Sequence, residues 1–183
     1  MKRTLLLLLA LLLIAPVYGQ RYRQSDLKAG NFVFQNRKVH FEKVYRHNLS
    51  MTNLERHLKS LNDPSSGMQV KIIDEAGMNG VMIRYQLDWT TAGFRNWKIP
   101  TYLRYPINAN FEVVKNNGNY RVRVTDIWFS NMAKSGGNQH LTLENMVSKN
   151  LSIGFSKKKR AMRALSILDQ NLEEMFSGIP AEW

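Results

Sequence analysis

The sequence predicts a two-layer α+β domain, in which an antiparallel sheet of about four to five strands is packed by two helices. Two observations lead to this prediction. Apolar and polar residues alternate along several segments separated by turns, as expected for an antiparallel sheet with one buried face. Two other segments repeat apolar residues at intervals of three and four, as amphipathic helices do. None of the 183 residues is cysteine, so the fold must depend on its core and not on disulfides.

The first β-prone segment spans residues 32–45. Its apolar residues are interrupted by Asn36–Lys38, so the segment predicts one strand or a tight hairpin. A helix is predicted next, because Thr52 and Glu55 have the spacing of a capping box. The apolar side of this helix consists of Leu54, Leu58 and Leu61.

Later segments alternate between apolar and polar residues and predict further strands: 68–72, 81–89, 103–113 and 120–125. Two turns join them, one at Glu75–Gly80, where Asn79-Gly80 is a strong hairpin signal, and one at Asn116–Asn119. The alternation changes phase at Asp126, which predicts a bulge or the end of a strand there.

A final helix is predicted from Ser156 to about Phe176, followed by Gly178 and Pro180 as stop signals. Its apolar face contains Ala161, Leu165, Leu168, Leu172, Met175 and Phe176. A start at Ser156 would place the cations of Lys157–Arg160 at the positive end of the helix dipole, which is unfavourable. Either the helix begins later, an anion offsets the repulsion, or these residues form a solvated basic loop.

The N-terminus has the three parts of a secretory signal peptide, residues 1–19. Lys2 and Arg3 precede an apolar run that is shorter than the roughly 18 residues a spanning helix needs. Cleavage between Gly19 and Gln20 would leave a flexible N-terminal tail at 20–31 and a single α+β domain at 32–183. No transmembrane segment is expected after cleavage.

The charge balance is strongly basic, with a net charge of +12 for the whole chain. Such a protein attracts anionic partners. For an exported protein we expect an anionic glycan, lipopolysaccharide or another envelope protein as partner, and no nucleic acid.

The aromatic strand Val39–Tyr45, the late strand Tyr120–Trp128 and the closing helix, behind a signal that ends in Gly-Gln, resemble a bacterial family of exported proteins of unknown function. That family is described as having a fold like the TATA-box-binding protein. The resemblance implies such a fold over residues 32–176 and a periplasmic or secreted location in a Gram-negative bacterium. It implies no activity and no site residues, since a fold does not define a function.

Motifs for metal, cofactor or nucleophilic chemistry are missing from the sequence. The four histidines (His40, His47, His57 and His140) lack the spacing of metal ligands, so we expect no metal and no cofactor. No serine-nucleophile motif is supported, and we expect no catalytic residues. The carboxylates Asp88, Glu112 and Asp126 leave open the alternative of a glycan-directed hydrolase.

The predicted strands would collect basic side chains on the polar face of the sheet, where arginine suits carboxylate, sulfate and phosphate groups. This candidate ligand-binding set is Lys71, Arg84, Arg104, Arg121 and Arg123. The sequence therefore predicts a non-enzymatic binding or envelope-associated module that engages an anionic ligand through this face. A solvated sheet surface, and a structural subunit that pairs through its sheet, remain open as alternatives.

Overall fold

The computed structural model describes residues 27–46, 50–60, 67–73, 76–87, 99–130, 141–149 and 154–177. Its strands are β1 (Lys28–Ala29), β2 (Phe32–Gln35), β3 (Lys38–Tyr45), β4 (Gly67–Ile73), β5 (Gly77–Tyr85), β6 (Ile107–Asn116), β7 (Asn119–Phe129) and β8 (Leu141–Thr142). Its helices are α1 (Met51–Ser60), α2 (Leu143–Val147) and α3 (Lys159–Ser177), and a 3₁₀ turn spans Thr101–Arg104. The predicted signal peptide and its cleavage site lie outside the described residues.

The strands form one antiparallel sheet in the order β1-β2-β3-β7-β6-β5-β4, and β8 pairs with the far end of β7. The α+β class and the antiparallel pairing are confirmed. The expected number of four to five strands was wrong, because the described residues alone form a sheet of eight. The additional strands include β1 and β8, which have two residues each and are too short to show alternation.

Two tight hairpins are present: the one predicted at Asn116–Asn119, and the one that remained open for residues 32–45 as the alternative to a single strand. Asn36 and Arg37 join β2 to β3 with φ angles of 52° and 64°, and Asn117 and Gly118 join β6 to β7 with φ angles of 40° and 78°. Two consecutive residues with positive φ are typical of the type I′ turns that match the twist of paired strands. These turns fix the register of both hairpins.

Other predicted boundaries change in the structure. The strand expected from Leu103 begins at Ile107, because the preceding residues form turn bonds: the Leu103 amide donates to the Pro100 carbonyl oxygen at 3.0 Å, and Tyr105 donates to Tyr102 at 3.3 Å. Part of the segment 20–31 predicted as a flexible tail also pairs in the sheet, as strand β1. Of the two alternatives at Asp126, a bulge or the end of the strand, the structure shows the bulge, with a register shift and a φ of 51°.

The core lies between the sheet and the helices, and α3 provides much of its helical side. Leu165, Leu168 and Leu172 are fully buried, and the ring of Phe176 packs against Phe111 of β6 with centroids 5.5 Å apart. α1 contacts β4 and α3, and its buried residues are Met51, Leu54 and Leu58. The strands therefore bury one face and present the other away from α1 and α3.

Candidate functional site

The candidate site is the face of the sheet that points away from α3, at the centre of β3, β6 and β7. In β7, Tyr120, Val122 and Val124 are buried in the core, so the intervening Arg121 and Arg123 project from the other side. We call this surface the open face and define it by Lys38, His40, Glu42, Val44, Asn79, Val81, Ile83, Asn110, Glu112, Arg121, Arg123, Thr125 and Asp126. Most of these residues are exposed or half-exposed, and His40 is buried.

The five basic residues predicted to share this face are only partly brought together. Arg121 and Arg123 lie two residues apart on β7, as predicted. Arg84 lies near the end of β5 at a register shift, with a φ of 50°, and its amide donates to Asn108 Oδ1 at 3.0 Å. The placement of Arg104 on the sheet was wrong, because it belongs to the 3₁₀ turn. Lys71 lies on β4 beside a register shift, and its side chain is outside the described part of the structure.

Arg123 lies between two carboxylate-bearing residues. The register places Glu42 of β3 on one side and Glu112 of β6 on the other. Its Nε lies 3.6 Å from Glu42 Oε2, and its Nη2 lies 3.5 Å from the His40 Nε2 atom. Nε is buried and has no hydrogen-bond partner among the described residues. The centre of the open face is therefore a mixed-charge cluster and not a uniformly basic patch.

His40 is held in its neutral form by this arrangement. Burial lowers the pKa of the imidazole below its usual 6.5, the positive charge of Arg123 lowers it further, and Glu42 opposes both effects. A neutral imidazole offers one acceptor nitrogen, which suits its position beside the Arg123 guanidinium. His40 thus helps to orient Arg123.

The two described carboxylates of the predicted hydrolase alternative also lie on the open face. Glu112 pairs in register with Arg123. Asp126 forms a 3.2 Å ion pair with Lys38 and accepts a hydrogen bond from Asn110 Nδ2, also at 3.2 Å. These contacts hold the Asp126 side chain beside β3 and β6. Asp88, the third candidate, is outside the described residues.

A groove of about 340 Å³ crosses the open face over β5, β6 and β7. Its polar lining consists of Asn79, Asn110, Glu112, Arg123 and Thr125. This combination offers amide and guanidinium donors beside carboxylate, amide and hydroxyl acceptors. These donors and acceptors are complementary to those of a ligand that carries several hydroxyl groups together with an anionic group.

Sequence reasoning missed Glu42, Asn79, Thr125 and His40 as members of this site. Glu112 could have been placed opposite Arg123, since the Asn117–Gly118 turn fixes the register of β6 and β7. Glu42 could not, because the pairing of β3 with β7 joins segments far apart in sequence.

No protein-family model matches the chain, and no curated protein matches its sequence. Two solved structures are similar to it. One is a TBP-like protein from Parabacteroides distasonis, with 13% identity, a TM-score of 0.48 and coverage of 79% of this chain and 94% of the other. The second is a DUF4468 family protein from Bacteroides ovatus, with 15% identity, a TM-score of 0.49 and coverage of 86% and 90%. Such values establish neither family membership nor function.

Membrane-spanning helices and metal sites are two further features considered for the described residues. Within these ranges, no helix is long and apolar enough to cross a membrane. The same residues contain no group of three or more metal-ligating side chains. His47 and His140 are outside the described residues.

Proposed function

We propose that the protein is an exported, non-enzymatic binding module that engages an anionic glycan through the open face. The observation that carries the proposal is the projection of Arg121 and Arg123 from one face of β7, with Arg123 lining the polar groove. The predicted signal peptide at residues 1–19 and the resemblance to exported proteins with a TBP-like fold support the location that we propose, which is the periplasm or the outside of a Gram-negative cell.

The mixed charge of the open face favours a glycan over a simple polyanion. Glu42, Glu112 and Asp126 would repel a densely charged phosphate chain. The same carboxylates accept hydrogen bonds from sugar hydroxyl groups, and Asn79 and Asn110 can both donate and accept. The exposed Arg121 is then the residue that meets the carboxylate, sulfate or phosphate group of the glycan.

A binding experiment tests this proposal on the chain from Gln20 to Trp183, which holds every described residue. Anionic glycans, their neutral counterparts and lipopolysaccharide are titrated at low and high salt. We expect binding of an anionic glycan that weakens with salt and is lost in the double variant R121E/R123E. The matched control, R56E/K59E, makes the same charge change on α1, away from the open face, and should bind normally.

The other outcomes contradict the proposal. If R121E/R123E still binds the ligand, the binding site lies outside the open face. If no member of the panel binds, an anionic glycan is excluded as the ligand. Release of shorter sugars from the bound glycan, abolished by Glu112→Gln, would instead indicate the hydrolase.

A structural subunit that pairs through its sheet is the second candidate. Val44 and Ile83 are apolar residues of the open face, and they are 53% and 37% exposed. Exposed apolar residues on a sheet face are suited to contact with a second protein surface. A mass in solution that rises with protein concentration, and that Val44→Glu reduces to the monomer, would favour this candidate.

A further inference from the structure

The second basic feature of the sequence, Lys157–Arg160, lies at the beginning of α3. The helix begins at Lys159, and the Lys158 carbonyl oxygen accepts the first helical bond from the Met162 amide at 3.1 Å. The Ser156 hydroxyl oxygen accepts a bond from the Lys158 amide at 3.4 Å. The next amide groups have no helical acceptor, since the first turn of any α-helix leaves its N–H groups unpaired within the helix.

The charges at this end have the wrong sign for a helix N-terminus. The first turn of α3 contains no acidic residue, and Lys158 and Arg160 instead add positive charge to the positive end of the dipole. Neither cation forms an ion pair with a carboxylate among the described residues. An anion bound here would offset this repulsion and accept the free N–H groups.

A buried hydroxyl group gives an independent indication of a ligand. Tyr102 is only 4% exposed, and its hydroxyl group has no hydrogen-bond partner in the described part of the chain. Its ring packs edge-on against Phe129, with centroids 5.4 Å apart, and the Arg160 guanidinium lies over it at 5.5 Å. Buried polar groups in native proteins nearly always have a partner, so this hydroxyl group requires an explanation.

These features meet at one cavity of about 350 Å³ between the 3₁₀ turn and the start of α3. Among its lining residues are Thr101, Tyr102, Ser148, Ser156, Lys158 and Arg160, and none of the described lining residues is acidic. We call it the α3 cleft. Its size suits a small ligand or the head group of a larger one.

The protonation state of Tyr102 fits a donor role. Burial raises the pKa of its phenol to about 12, and the nearby Arg160 charge partly opposes this. The hydroxyl group therefore keeps its proton at neutral pH and can donate it to an acceptor.

We propose that the α3 cleft is a binding site for a tetrahedral oxyanion, a phosphate or sulfate group, held by the Tyr102 hydroxyl group, by Lys158 and Arg160, and by the first amide groups of α3. Such a group offers several acceptor oxygens to donors that converge from different directions. The α3 cleft shares no residue with the open face, so the two sites are independent.

Titration calorimetry on the chain from Gln20 to Trp183 tests the proposal, with inorganic phosphate, sulfate, glucose 6-phosphate and acetate as probes. We expect phosphate or sulfate to bind more tightly than acetate, and less tightly as salt is added. Tighter binding of glucose 6-phosphate than of inorganic phosphate would identify a phosphorylated sugar as the source of the group, and equal binding would identify the free anion.

Two variants locate the bound anion. Tyr102→Phe keeps the ring and removes the hydroxyl group, and we expect a loss of affinity of about tenfold or more, typical of a bond to a charged group. Lys158→Gln should also weaken binding, and melting curves without ligand check that both variants are folded. The open-face variant R121E/R123E should bind phosphate like the wild type, so the two proposals can fail separately. Absence of binding by every probe, or unchanged affinity in Tyr102→Phe, would overturn the assignment.

Discussion

The two ends of α3 differ in the hydrogen bonds made by the tyrosine hydroxyl groups that are buried beside them. At the C-terminal end, the Tyr120 hydroxyl group donates to the carbonyl oxygens of Phe176 at 2.7 Å and Ser177 at 3.1 Å. The Tyr45 hydroxyl group donates to the Glu173 carbonyl oxygen at 3.1 Å. At the N-terminal end, Tyr102 is equally buried, but its hydroxyl group has no partner among the described residues.

The difference indicates that the backbone groups at the C-terminal end of α3 have hydrogen-bond partners within the chain. The last carbonyl groups of a helix lack helical donors, and Tyr120 supplies one from the sheet. The rings of Tyr45 and Tyr120 stack at 4.8 Å, so the donors are held by packing. Burial raises the pKa of both phenols, which keeps them protonated. The N-terminal end has donors and cations, and the described residues place no carboxylate in its first turn or in the lining of the α3 cleft, as expected for a site that an external anion completes.

The largest expected effect is the loss of the Tyr120 hydroxyl group. Tyr120→Phe leaves the buried carbonyl oxygen of Phe176 without this donor, and we expect the free energy of unfolding to fall by about 1–3 kcal/mol. Urea denaturation, followed by circular dichroism, measures the change.

The matched variant at the other end is Tyr102→Phe. Its hydroxyl group contributes no bond in the described structure, so its removal should leave the ligand-free protein equally stable or more stable. Similar losses of stability in both variants would break the comparison, because they would show that Tyr102 also has a partner within the chain.

The sequence was sufficient to predict α3 and the β6–β7 hairpin, because local physics determines both. The apolar residues from Ala161 to Phe176 can be buried together only on a helix, and Asn117-Gly118 adopts the positive φ angles of a tight turn without strain. Asn79-Gly80 gave the same signal and was misleading. Both residues lie inside β5, where the Phe111 ring occupies the space that a side chain at Gly80 would need.

The candidate sites were less predictable, because they depend on contacts between distant segments. The alternation of β7 placed Arg121 and Arg123 on one face correctly. The neutralising position of Glu42 depends on the pairing of β3 with β7. Arg104 was misplaced because its neighbours mimic strand alternation while forming a 3₁₀ turn. The burial of Tyr102 also depends on a distant segment, because its ring packs against Phe129 of β7.

The middle of α3 provides a second test, which concerns pH. The Asp169 carboxylate accepts bonds from the backbone amide of Asn31 at 3.2 Å and from its side-chain Nδ2 at 2.9 Å. Burial raises the pKa of this carboxyl above 3.8; Glu173 raises it further, and the Asn31 bonds and Lys43 oppose the rise. The native state therefore holds this proton to higher pH than the unfolded chain, so the contribution of Asp169 to stability falls as the pH rises from 3.8 through the native pKa.

Asp169→Asn keeps an acceptor oxygen and removes the titration. Between pH 3.8 and the native pKa of Asp169, we expect the unfolding free energy of the variant to increase relative to that of the wild type as the pH rises. Denaturation series at several pH values measure it, and Glu174→Gln, at an exposed position on the same helix, is the control. Parallel pH profiles for Asp169→Asn and the wild type would show that Asp169 titrates alike in the folded and unfolded chains.

The smallest expected effect concerns the charge at the N-terminal end. Lys159 is exposed at the first position of α3 and does not line the α3 cleft. Lys159→Glu exchanges an unfavourable charge for a favourable one, and it should raise the free energy of unfolding by about 0.3–1 kcal/mol at low salt. Lys115→Glu, the same exchange on β6, should not reproduce this gain.

Phosphate should stabilise Lys159→Glu less than it stabilises the wild type, since the new carboxylate repels the anion near the same helix end. Lys159→Glu could instead raise the free energy of unfolding and leave the stabilisation by phosphate unchanged. That result would show that the charge at the start of the helix does not influence anion binding in the α3 cleft. The repulsion among the cations would then be a property of the helix alone and would not indicate a bound anion.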